Sequence, residues 1–308
     1  MPLELLKLSA QELSRLPKDA TVFFFPVGGV EDHGPHLPIG ADIFEGFKLC
    51  ELAALRLEKE MPGWSGVIFP PLPLGTSAKT TAEPILIRNY ILRDYLVDSC
   101  RSLAKQGFRH FVCFSGTVTP KQLTAIEDAG KIINGSFWRK ILTLINRSAG
   151  RVTLVSARSG VLSSAEIRAS LWFSDAVENG GKRDTSIALA TTPELVADEF
   201  SKLPEVVRTS SRLSRYFDRY SARVSGYWGN PSAASAKEGQ TLLSQIISDV
   251  FPKLRAVWEG SNPNMIFRSW FSVMPWNKSF FRAWLLSAFL VILIGLWSYW
   301  WVELSLSN

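Results

Sequence analysis

Four side chains suited to metal or acid–base chemistry fall within one stretch, TVFFFPVGGVEDHGPHLPIGAD, from Thr21 to Asp42. Glu31, His33, His36 and Asp42 bring together two carboxylates and two of the three histidines in the chain. Hard oxygen and imidazole donors of this kind suit zinc or manganese. The run before them, Thr21 to Val27, is apolar, aromatic and β-branched, long enough for one buried strand that Gly28 and Gly29 then end. The four groups therefore follow a strand directly, where open α/β sheets place their ligands. A solvent-facing turn with satisfied histidines has the same spacing, so the pattern alone leaves both readings open.

A second polar cluster runs from Glu178 to Ser186, ENGGKRDTS. Asp184, just before the apolar start Ile187 to Ala190, can cap a helix or bring a further carboxylate to a metal. Glu178 can orient water or move a proton if it lies within hydrogen-bond reach of a substrate. Ser115, Ser159 and Ser186 lack the serine-elbow sequence and a histidine partner, so a serine triad is not indicated. His110 sits inside a strand pattern and reads as a packing or edge residue.

The elements that must position these groups alternate in type. Ser9 to Glu12 has the form of a capping box and opens a short helix that Pro17 ends. A helix from Asp42 to Glu60 follows the first strand, with Phe44, Phe47, Leu49, Leu52 and Leu55 as its apolar face, and puts Asp42 at a helix N-terminus that favours a carboxylate. Val67 to Phe69 reads as the second strand, Pro84 to Gln106 as a long helix with Ile87, Ile91, Tyr95 and Leu103 facing the core, and Phe108 to Phe114 as the third strand. Pro120 starts a helix running to Ile133, Phe137 to Ile145 reads as another helical or amphipathic element, and Arg151 to Ser156 as the fourth strand. Such alternation predicts a layered α/β domain with a mainly parallel sheet flanked by helices. Near the end, Gly226 to Pro231 feeds a helix start at Ser235 and Glu238, spaced for a capping box, and Leu242 to Val257 is amphipathic.

Composition narrows the function classes. With 308 residues, 46% of them hydrophobic, the chain can bury one large core. Cys50, Cys100 and Cys113 are isolated in apolar surroundings, which points to a reduced compartment and away from a disulfide framework. The net charge of +6 comes from scattered Lys and Arg with no recognition motif, so nucleic-acid binding is not expected. The first residues lack the pattern of a secretory signal.

At Glu31-Asp32-His33-Gly34-Pro35-His36-Leu37-Pro38 with Asp42, the chain resembles the first motif of the creatininase (creatinine amidohydrolase) family. In that family the glutamate, the histidine two positions on and the aspartate hold a pair of divalent metals for hydrolysis of an amide-type C–N bond. The resemblance carries those roles to Glu31, His33 and Asp42. Glu178 and Asp184 match the two acids of a later motif, which makes them catalytic candidates and Asp184 a further metal ligand; Asn179 stands where that motif has a histidine. Thr117 and Thr119 stand where further ligands follow the third strand, and the histidine segment expected within Thr76 to Glu83 is missing. The resemblance, so altered, implies one zinc or manganese ion in place of two, or none. Two function classes follow: a metal-dependent amidohydrolase with a reduced site acting on a non-peptide amide, or a catalytically silent creatininase-fold protein that binds a small amide or a protein partner. The family also implies a homo-oligomer, with Trp138, Trp172 and Trp228 either at interfaces or in the core.

The C-terminal part differs in kind. Ala283 to Val302, AWLLSAFLVILIGLWSYWWV, is twenty residues without a charge, the length needed to cross a hydrocarbon layer of about 30 Å as a helix. Tryptophans and Tyr299 near its far end suit a membrane interface, and Arg268, Lys278 and Arg282 before it predict a main domain facing the cytoplasm. The expected organisation is a domain over 1–260, a juxtamembrane segment over 261–282, a single transmembrane helix over 283–302 and a short tail over 303–308.

Overall fold

Residues of one strand decide the layering. β2, Thr21–Gly28, is buried along its whole length, and its side chains alternate between two cores as strand geometry requires. Val22 and Phe24 join one apolar cluster, while Phe23, Phe25 and Val27 join another on the opposite face. The computed structural model describes residues 2–76, 84–134, 151–156, 178–207, 226–261, 266 and 278–306.

Around β2 stand β1 (Leu3–Glu4), β3 (Ser65–Ile68), β4 (Leu72–Pro73), β5 (His110–Ser115) and β6 (Arg151–Ser156). Their order is β1-β3-β2-β5-β6, with β4 continuing along β2 beyond β3. Each of these pairings is parallel, with Phe23 opposite Val67 on one side and Phe111 on the other. The expected parallel α/β sheet is what the chain forms.

Helices cover both faces. α1 (Ala10–Arg15) is opened by the reciprocal Ser9–Glu12 capping box. α2 (Ala41–Glu60) packs on one face, where its Leu49, Cys50, Ala53, Ala54 and Leu57 meet Val22, Phe24 and Phe114. α3 (Asn89–Lys105) and α4 (Pro120–Asn134) take the other face through residues such as Leu92, Leu96 and Ile126. α5 (Lys182–Thr191) and α6 (Ala236–Trp258) complete the first face with Ile187, Ile246, Val250 and Leu254.

Several boundaries depart from the sequence pattern. α3 begins at Asn89, not Pro84, because Ile85 donates its amide to the Val30 carbonyl and Ile87 donates to that of Gly75. The lead-in is therefore engaged as extended chain, and the core face of α3 runs through Leu92, Leu96, Cys100 and Leu103, leaving Tyr95 exposed. Leu55 of α2 is likewise exposed, its place in the core taken by the small Ala53 and Ala54, which let the helix approach the sheet. Ser235 caps α6 through the Glu238 amide, but the Glu238 carboxylate pairs with Lys182, 2.9 Å away, so the predicted box is only half formed. Trp228 is buried and belongs to the core. Trp138, Trp172, Phe137 to Ile145 and Ser159 lie outside the described residues.

α7 (Lys278–Leu306) stands apart in character. Among the described residues it is the one helix long and apolar enough to cross a membrane, over Leu285–Val302, and no part of that window is buried.

The N-terminus of α2 is pressed onto the ends of β2 and β5. A methyl group at Gly28 would lie 2.5 Å from the Ile43 nitrogen, and one at Gly116 would overlap the Asp42 carbonyl oxygen. Both obstacles are backbone, so neither can rotate away. Gly116→Ala is expected to destabilise the domain by about 1–3 kcal/mol, the range of overpacked sites. Urea unfolding with an unchanged m-value would measure this, and a wild-type midpoint would refute the close contact.

Candidate metal centre

The close approach of α2 delivers Asp42 to the carboxyl ends of the strands. The chain between β2 and α2 folds back on itself there, with the Glu31 amide donating to the Ile39 carbonyl at 3.1 Å. Glu31, His33 and Asp42 are thereby brought together, all buried, with one donor atom from each within 4.8 Å of the others. His33 Nε2 is 3.3 Å from Asp42 Oδ1. His33 Nδ1 lies 3.0 Å from the Glu31 carbonyl oxygen, a contact in which Nδ1 donates and which turns Nε2 toward Asp42.

These donors fit a divalent ion. Zinc bonds of about 2.0–2.2 Å at tetrahedral angles place ligand atoms about 3.4 Å apart, so small side-chain movements close this group around one ion. Two carboxylates and one imidazole also match the chemistry of zinc and manganese.

Thr117 sets the second oxygen of Asp42. Its hydroxyl donates to Asp42 Oδ2 at 2.6 Å and accepts the Gly29 amide, also at 2.6 Å. Thr119 accepts the Gln122 amide at 3.4 Å at the start of α4. The two threonines thus serve the carboxylate and the helix cap.

The second cluster lies beside the first. A methyl at Gly180, which has φ +61, would overlap the His33 carbonyl oxygen, so this turn sits directly on the backbone of the loop that carries Glu31 and His33. Asn179 is fully buried and donates both amide hydrogens to main-chain carbonyls, to Asp32 at 3.0 Å and to Gly226 at 3.1 Å. Glu178 accepts the Arg183 amide at 3.0 Å. Asp184 accepts the Gly180 amide at 3.1 Å and the Arg183 guanidinium at 3.1 Å. Among the described residues Asp184 does not join the close group of Glu31, His33 and Asp42.

His36, which the sequence groups with these donors, points elsewhere: its Nε2 lies 2.8 Å from the Thr185 hydroxyl. His110 is at the opposite end of β5, with Nε2 3.1 Å from the Asp19 carbonyl oxygen, and packs against Trp64. Sequence reasoning missed Thr117 as a partner of Asp42 and Asn179 as a tie between loops. Nothing local in the sequence signals either contact, since the partners are 75 and 147 residues away.

Burial pushes the His36 imidazole down to about 4; the Gly180 backbone opposes the shift and the nearby His33 adds to it. The folded chain therefore holds His36 neutral in the window between about 6.5 and 4, where an unfolded chain protonates it. Stability from this group is fully present above the ordinary histidine value and is lost as pH falls through that window. Urea midpoints of the metal-free protein are expected to drop on acidification from pH 7, and less steeply in His36→Gln. Equal slopes for the two proteins would count against a buried neutral imidazole.

Comparison with known proteins gives a consistent result. The sequence pattern of the creatininase family, described as creatinine amidohydrolase, matches residues 6–253. The chain is similar to the mycofactocin precursor peptide peptidase of Mycobacterium ulcerans (strain Agy99), 24% identical over 272 residues that cover 84% of this chain and 94% of that protein. In fold it is similar to a tryptophan-to-alanine variant of creatininase, with a TM-score of 0.64 and 19% identity over 84% of this chain and 99% of the other. A manganese form of creatininase superposes with a TM-score of 0.61 at 19% identity, covering 84% and 99% of the two chains. The matched family pattern takes in both polar clusters and strands β2 to β6, and on that ground the chain belongs to the creatininase family.

Proposed function

We propose that this protein is a metal-dependent amidohydrolase whose centre, Glu31, His33 and Asp42, holds one zinc or manganese ion. The carrying observation is the buried convergence of three donors on one side of the Asp42 carboxylate while Thr117 takes the other. A carboxylate so engaged has one oxygen left for an ion. When bound, such an ion supplies Lewis acidity toward an amide carbonyl and toward water. The chain's own residues do the rest. The Glu31 carbonyl orients His33, Thr117 orients Asp42, and Glu178 is the proposed proton acceptor. Asp184, expected from the sequence as a further ligand, is left out of the ligand set because Arg183 and Gly180 hold its oxygens.

The manganese form of creatininase supports the choice of metal. The mycobacterial relatives, named as peptidases of a precursor peptide, extend the substrate class from non-peptide amides to peptide bonds. A second reading, a silent member that binds an amide or a protein partner, is favoured by Asn179. Its side chain is neutral and already bonded at the position matching the family histidine, which removes a group suited to titration near neutral pH.

We further propose that α7 anchors the chain in a membrane over 283–302, with domain 1–260 on the cytoplasmic side and 261–282 along the surface. The exposed apolar surface of the helix supports this. Anchored neighbours would assemble as a homo-oligomer more readily, since attachment raises local concentration.

Equilibrium dialysis with manganese and zinc is expected to give one ion per chain, lost in His33→Ala and Asp42→Asn, with slow turnover of linear or cyclic amides. Two tightly held ions would overturn the single-ion centre. Binding without turnover of any amide would establish the silent reading. Truncation before Ala283 is expected to release the protein from membrane fractions, and firm association of the truncated form would refute the anchor.

A further inference from the structure

α6 connects the two ends of the sheet. It starts at the end that carries the metal centre, where the Ser235 amide donates to the Ser186 hydroxyl at 3.1 Å and Gly239 lies on the Ser186 backbone. Twenty-three residues on, about 34 Å at the rise of an α-helix, it ends at Trp258, whose ring lies 5.8 Å from that of Trp64. Trp64 directly precedes β3 and packs 5.1 Å from His110, the first residue of β5. The chain therefore leaves the domain, on its way to α7, from the amino ends of the strands. Glu31, His33 and Asp42 stand beyond the carboxyl end of β2.

The two ends differ in charge. Around the exit, the last turns of α1, α2, α3 and α6 and the turns into β2 and β5 carry Arg15, Lys18, Lys59, Lys105, Arg109 and Arg255. Of the acids there, Asp19 pairs with Arg109 and Glu259 with Arg255, both at 2.8 Å, and Glu60 pairs with Arg56 at 2.6 Å. Among the described residues this leaves Glu58 against Arg15, Lys18, Lys59 and Lys105. Met61, Pro62 and the partly exposed indole of Trp64 complete this face. The other end is the reverse. Beside the carboxylates of the centre, the segment that bonds the His36 carbonyl through the Ala197 amide exposes Glu194, Asp198, Glu199 and Glu205 against Lys202 alone. A negative lipid surface attracts Lys and Arg within a screening length and repels carboxylates, and tryptophan suits the lipid–water boundary.

We propose that the exit face rests on the anionic membrane surface that α7 enters, so that the metal centre points away from the lipid and takes its amide substrate from the aqueous phase. The proposal rests on α7 as the anchor. The stretch 261–282 is long enough to allow other orientations; charge and the point of exit select this one.

The test uses the full-length protein in lipid nanodiscs made with and without phosphatidylserine. Cys50, Cys100 and Cys113 are fully buried, so a single introduced cysteine takes a fluorophore selectively: Pro62→Cys on the exit face or Ser201→Cys at the opposite end, both exposed positions. Quenching by a headgroup-labelled lipid is expected to be several-fold stronger at position 62 than at 201 in phosphatidylserine discs. That bias should shrink in discs without phosphatidylserine, in high salt, and in R15E/K59E/K105E, whose urea midpoint checks that it folds; the salt and lipid arms decide if it does not. Equal quenching at the two positions, stronger quenching at 201, or a bias that salt and lipid leave intact would overturn the proposal. A chain that fails to enter the discs would defeat the anchor alone. The face is then decided by sedimentation with phosphatidylserine vesicles: a native chain that binds in low salt and is released in high salt sustains it, and a chain that does not bind overturns it.

Discussion

The fold depends on how closely one helix can approach the ends of two strands. α2 meets β2 and β5 with backbone against backbone at Gly28 and Gly116, and a single added methyl at either position meets main-chain atoms. That approach fixes Asp42, whose carboxylate otherwise would have no reason to lie beside His33. It also brings Glu45 within reach of Arg183, so the same contact organises both charged groups. The aromatic β2, buried on both faces, supplies the rigid floor on which this occurs. The energetic logic is ordinary close packing, applied where a site must be placed to a fraction of an ångström.

Around that floor, neutral polar side chains hold the loops together. Thr117 bonds the Asp42 carboxylate and the Gly29 amide, tying three segments at one oxygen. Asn179 bonds the loops at Asp32 and Gly226 and pairs its backbone with Trp228. Gln122 does similar work for Leu74 and Thr76, accepting the Thr76 amide while donating to the Leu74 carbonyl. Each such side chain bonds main-chain groups that would otherwise be buried without partners. The result is a rigid surround for a small set of donors.

Much of this was legible in the sequence because its signals are local. The β-branched and aromatic run of β2, the alternation of strands and helices and the Ser9 capping box each depend on neighbours within a few residues. The grouping of Glu31, His33 and Asp42 was legible for the same reason. The lead-in to α3 was not, because its backbone bonds go to Val30 and Gly75, and no periodicity records that. The partners of Asp184 were not legible either: its acid type is visible in the sequence, but the guanidinium of the adjacent residue, shared with Glu45 of α2, is not. His36 matched the others in type and spacing, yet Thr185, far along the chain, draws it away.

The three donors of the metal centre all come from the single segment between β2 and the first turn of α2. Closing a loop this short costs little chain entropy, and the contacts it needs are of low sequence separation, which favours rapid formation. All three are in the chain while α5 and the Glu178 loop, more than a hundred residues later, are still to be synthesised. Their alignment waits for β5, because Gly116 receives the start of α2 and Thr117 takes the second Asp42 oxygen. The site is thus local in the origin of its donors and long-range in their alignment, so a change near residue 116 reaches it as directly as a change in the loop itself.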